Sequence, residues 1–66
     1  MNTNEVKIRI YYYYGSMPYS IDVGPALQPG ERVTMDSVGF EIEQSHEENN
    51  SNGTIQRLWV RRSVDT

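Results

Sequence analysis

Residues 7–24 read KIRIYYYYGSMPYSIDVG, and the spacing of their side chains decides the fold. Taken with the two residues before it, the first half alternates Val6, Ile8, Ile10, Tyr12 and Tyr14 against Glu5, Lys7, Arg9, Tyr11 and Tyr13. That is the two-residue period of a half-buried strand, carried by β-branched and aromatic residues that suit a pleated surface. Residues 15–18, GSMP, break the run. Tyr19, Ile21 and Val23 then resume the alternation against Ser20 and Asp22, which predicts an antiparallel hairpin turning through 15–18.

Downstream, GPALQPG (24–30) is punctuated by Pro and Gly and reads as a loop, followed by a third strand in ERVTM (31–35). DSVG (36–39) is a turn, and FEIEQ (40–44) a fourth strand. SHEENNSNG (45–53) reads as a polar loop ending in Asn52-Gly53, a dipeptide suited to a tight turn, before a fifth strand in TIQRLWVRRSV (54–64). The expected fold is all-β: a small five-stranded antiparallel meander or partly open barrel with little or no helix, closure of which would remove exposed edges. Residues 1–66 form one domain in this reading, with 1–4 and 63–66 frayed.

The alternation assigns two faces. Val6, Ile8, Ile10, Tyr12, Ile21, Val23, Val33, Phe40, Ile42, Leu58 and Val60 make the expected core, with Tyr14 and Tyr19 closing its end. The opposite face carries Lys7, Arg9, Tyr11 and Tyr13 from the first strand, Glu41 and Glu43 from the fourth, and Arg57, Trp59 and Arg61 from the fifth. One reading of this second face is structural: Glu41 and Glu43 pair across strands with Arg57 and Arg61, and guanidinium groups stack on the rings. The other is that Lys7, Arg9, Tyr11, Tyr13, Arg57, Trp59 and Arg61 form a partner-binding surface, because Tyr, Trp and Arg combine large contact area with polar handles.

Size bounds the rest. A chain of 66 residues buries only about 60% of its unfolded surface, so its stability is marginal. It has no cysteine for a disulfide and one histidine, leaving packing or self-association to supply what a staple would. A homodimer is therefore expected, pairing through the first or fifth strand, where the aromatic density lies. The N-terminal MNTNEVK has no apolar core of a signal peptide, and no run approaches a membrane span, so the expected location is cytoplasmic with no membrane partner.

The formal net charge of −3 disfavours a nucleic-acid partner, which selects a basic face. A single-stranded nucleic-acid module remains an alternative, since aromatic rings with interleaved arginines resemble a base-stacking platform. Catalysis is not expected: His46, beside Glu47 and Glu48, is the lone histidine, and there is no HExxH spacing and no phosphate-binding Gly-rich loop. No catalytic residue, metal site or cofactor is assigned. In character, tiny, cysteine-free, acidic and β-rich, the chain resembles the small accessory and inhibitor proteins encoded by bacteriophages. That resemblance implies a viral inhibitor or anti-defence factor acting on a host protein by protein–protein contact; a structural subunit of a homo-oligomeric assembly is the other alternative.

Overall fold

The structure is a computed structural model that describes residues 7–63. Its strands are β1 (Ile8–Tyr14), β2 (Met17–Gly24), β3 (Arg32–Met35), β4 (Val38–Asn50) and β5 (Gly53–Arg62). They form a single sheet in the order β2-β1-β5-β4-β3. The all-β class is as expected, and the sheet curls into an open half-barrel. It is not an antiparallel meander, because β1 and β5 at its centre run parallel while the other neighbours are antiparallel. Among the described residues no helix is long and apolar enough to cross a membrane.

The β2–β3 connection is the cause of the mixed topology. Pro25 and Pro29 lack the N–H groups that a continuing ladder would use, and the segment crosses the concave face to the far edge. It is tied there by Gln56 of β5, only 5% exposed, whose amide donates Nε2–H to the Leu27 carbonyl at 2.8 Å and accepts the Leu27 N–H at 3.0 Å. Gly30 N–H to the Ile42 carbonyl and Ile42 N–H to the Glu31 carbonyl, both 2.9 Å, then seat the chain beside β4. From that edge β3, β4 and β5 build back toward the centre, and β5 arrives beside β1 pointing the same way. With β1 and β5 both interior, neither offers a free edge; the sheet's outer strands are β2 and β3.

Ile10, Tyr12, Phe40, Ile42, Leu58 and Val60 are the buried core, bordered by Ile8, Leu27, Val33, Met35 and Val38. Two residues expected there are not: Ile21 is 63% and Val23 59% exposed. The register explains the difference. Tyr12 pairs with Ser20 but Tyr13 with Pro18, so Tyr19 is an extra residue in β2. The bulge lets Tyr19 stay with the core, 5.3 Å from the Phe40 ring and 6.5 Å from Tyr14, closing the barrel end. Beyond it the faces exchange: Ser20, Asp22 and Gly24 sit opposite Tyr12, Ile10 and Ile8, while Ile21 and Val23 turn to the convex side with Tyr11 and Arg9.

Residues 45–50, expected as loop, are strand: Ser45 to Asn50 pair with Leu58 to Gly53. This stretch runs past the core and is polar on both faces, so it lacks the apolar period by which a strand is read. Its turn is made by Ser51 and Asn52, with Gly53 at φ 126°. Glu5 and Val6 of the expected first strand, Val64 of the fifth, and the fraying expected at 1–4 and 64–66 lie outside the described residues. Ser63 donates its N–H to the Gly39 carbonyl at 2.9 Å.

Candidate partner-binding face

A strand that buries every second residue presents the others on its opposite face. On β1 these are Arg9, Tyr11 and Tyr13, and on β5 Ile55, Arg57, Trp59 and Arg61. Because the strands are adjacent and parallel, the register sets Arg9 beside Ile55, Tyr11 beside Arg57 and Tyr13 beside Trp59. The crossover covers the concave side, and no described strand lies over the convex one. Of the seven expected site residues, Arg9, Tyr11, Tyr13, Arg57 and Trp59 thus adjoin one another; Arg61 lies further along β5, and Lys7 is exposed just ahead of β1.

Contacts within the face hold its side chains in place. Tyr13 and Trp59 stack with ring centroids 5.2 Å apart and planes inclined by 20°. The Arg57 guanidinium carbon sits 5.2 Å from the centre of the Tyr11 ring. Its Nη1 donates to the Tyr13 hydroxyl, and its Nη2 to Glu48 Oε1 at 3.3 Å. Those two hydrogen bonds, Tyr13 first and Glu48 second, push the Arg57 pKa above its already high ordinary value. Arg57 is therefore a permanent cation with three neighbours fixing its plane.

The structural reading of this face holds in part. Arg61 lies 3.2 Å from Glu41 and 3.9 Å from Glu43, as expected. Arg57 takes Glu48 instead of Glu41 or Glu43, because a register shift between Ile42 and Gln44 advances β4 and brings His46 opposite Arg57. His46 Nε2 lies 3.8 Å from Glu48 Oε2. Among the described residues no group of three His, Asp or Glu side chains is placed to hold a metal ion.

Ile21 and Val23 extend the face onto β2, where sequence reasoning had assigned them to the core. A depression of about 560 Å³ lies between β1 and β2, lined by Tyr11, Tyr13, Pro18, Ile21 and Arg57 among others. The signal for it was Pro18 beside a tyrosine run, but nothing in the alternation marks Tyr19 as the extra residue. On the concave side, burial raises the Tyr12 hydroxyl pKa, and the nearby Asp22 charge raises it further.

Comparison of this chain with protein-family models, with curated proteins and with solved structures finds no match. Its function is argued from the geometry above.

Proposed function

We propose that this protein acts by binding another protein through its convex face, as a small non-enzymatic inhibitor or anti-defence factor of the bacteriophage kind, working in the cytoplasm. The observation that carries the reading is the pre-ordered cluster of Tyr11, Tyr13, Arg57 and Trp59 on a sheet face that no described strand covers. Side chains already locked by stacking and hydrogen bonds lose little freedom on association, so more of their contact energy appears as affinity. Ile21 and Val23 add an apolar shoulder to that centre.

The same geometry supports a protein partner over single-stranded nucleic acid. Base stacking needs open ring faces. Tyr13 and Trp59 each give one face to the other, and Arg57 covers a face of Tyr11. Glu41, Glu43 and Glu48 also offset the charge of Arg57 and Arg61 where phosphates would lie.

The test is capture from extract of the native host with the wild-type chain, Tyr13→Ala and Trp59→Ala, beside denaturation of each. We expect a partner retained by the wild type and lost by both variants, while each variant stays closer to wild-type stability than Leu58→Ala, a buried truncation costing about 2–5 kcal/mol. Capture unaffected by either substitution overturns the reading, as does submicromolar, salt-sensitive oligonucleotide binding that Arg57→Ala abolishes. Self-association is separated by light scattering across a dilution series. A mass twice the 7.6 kDa of one chain, lost on Tyr13→Glu, assigns the face to a homodimer.

A further inference from the structure

The half-barrel lacks one stave. The rims of its opening are β2 and β3, and no Cα of β2 comes within 8 Å of a Cα of β3, so the two are not paired. Near one end the Tyr19 hydroxyl reaches across to Asp36, the residue after β3, at 3.2 Å. A tyrosine extends about 6.5 Å from Cα to its oxygen and an aspartate about 3.5 Å, so these Cα atoms are within about 13 Å. One inserted strand needs two inter-strand spacings, roughly 9.6 Å, whereas two strands need roughly 14 Å. Along β2 and β3 the gap is too wide for direct pairing, and at the Tyr19–Asp36 end it is too narrow for two strands.

What lines the gap suits a strand. A cavity of about 330 Å³ opens there, with Leu27 and Pro25 of the crossover lying against Ile10 and Tyr12 in its floor, Asp22 and Gly24 on one rim, and Val33 and Met35 on the other. On each rim, alternate backbone N–H groups face away from the paired strand. Val23 N–H is bonded to the side chain of Asp22 at 2.8 Å, so this position is turned away from β1, and the alternation of antiparallel pairing gives Ile21 the same orientation. On β3, the two-residue turn at Asp36 and Ser37 makes Met35 and Val38 the closing hydrogen-bonded pair, which turns the Thr34 N–H outward from β4.

We infer that this gap is a second binding site, which takes one extended segment of a partner polypeptide as a sixth strand between β2 and β3. Its inward side chains are apolar, to pack against the partly buried Leu27, Val33 and Met35, and its outward ones polar. A strand of a second copy does not fit, because each described strand is already paired along at least one edge and the gap requires both edges free. β2 and β3 run antiparallel to each other, so the segment lies parallel to one rim and antiparallel to the other. The site shares the strand β2 with the convex face but uses none of Tyr13, Arg57 and Trp59.

The test uses the full chain and the peptide acetyl-Lys-Val-Thr-Val-Thr-Val-Lys-amide, read by residue-resolved amide hydrogen exchange. We expect the Ile21 and Thr34 amides both to slow at least about tenfold at saturating peptide. The same peptide N-methylated at its valines should have no effect, and Ile21→Pro and Thr34→Pro should each abolish binding, since proline is tolerated where an edge N–H faces outward. Tyr13→Ala and Trp59→Ala should leave the protection intact. Protection of Ile21 alone, which marks a strand added to β2 only, or of neither amide overturns the inference. The wild-type exchange decides the matter if a proline variant unfolds.

Discussion

Gln56 ties the crossover to the core, and its replacement tests whether this one side chain sets the topology. Gln56→Ala removes both hydrogen bonds to Leu27, each worth about 1 kcal/mol net, and leaves part-buried backbone groups unmatched, which adds up to about 2 kcal/mol. The expected loss is about 2–4 kcal/mol, against the roughly 3–5 kcal/mol that a core of this size supplies. Gln56→Glu is the sharper experiment. The introduced carboxylate still accepts the Leu27 N–H but faces the Leu27 carbonyl oxygen with no proton to donate, so the folded state favours its protonated form and raises its pKa above the usual value of about 4.3. A group raised in this way contributes stability below its unfolded pKa and loses it as pH rises through the folded value. Relative to wild type at each pH, the variant should lie close near pH 4 and fall short by about 1–3 kcal/mol at pH 7. Urea unfolding followed by Trp59, the sole tryptophan, measures both. A loss under about 0.5 kcal/mol for Gln56→Ala, or a Gln56→Glu deficit that does not change with pH, refutes the reasoning.

Asp36 and Ser37 both hold left-handed backbone angles, at φ 54° and 64°, and Ser37→Gly should stabilise the protein by about 0.5–1 kcal/mol in urea unfolding because glycine meets no Cβ penalty there. The raised Tyr12 pKa means that stability is fully present below the ordinary tyrosine value of 10.0 and is lost as pH rises above it. Tyr12→Phe should remove that part of the alkaline loss seen in melting curves between neutral pH and pH 11. Arg61→Ala should change stability by no more than about 1 kcal/mol by chemical denaturation, since its pairs with Glu41 and Glu43 are exposed.

β1 was legible because its period is strict and both of its faces are occupied: core on one side, aromatic and basic residues on the other. The same alternation on β5 placed Arg57, Trp59 and Arg61 together, so the expected surface residues share a face. The parallel pairing that brings Tyr11 to Arg57 was not legible, because it follows from the route of the crossover, which Gln56 fixes from 29 residues beyond Leu27. The faces of β2 were misread for a related reason. Whether Tyr19 counts as a paired residue or a bulge depends on its ring meeting Phe40, a tertiary contact that the local pattern does not contain. Glu48 was missed as the partner of Arg57 because it lies where β4 outruns the core and apolar periodicity stops.

That single bulged residue also sets the energetics of the convex face. By exchanging the faces of β2 it turns Ile21 and Val23 outward and leaves Asp22 inward, the reverse of what core packing favours. At their exposures these two side chains offer roughly 200 Å² to a partner, or about 5 kcal/mol of gross apolar burial. Association costs about 4–15 kcal/mol in lost freedom before any affinity appears. The apolar shoulder alone therefore does little more than offset docking, and specific binding has to draw on the stacked Tyr13 and Trp59 and on Arg57. Those residues are pre-ordered on adjacent central strands only because the crossover delivers β5 beside β1. The two departures from simple alternation, the bulge at Tyr19 and the crossover at 25–31, thus act on one surface. The first adds the apolar shoulder, and the second assembles the polar-aromatic centre that would make a contact selective.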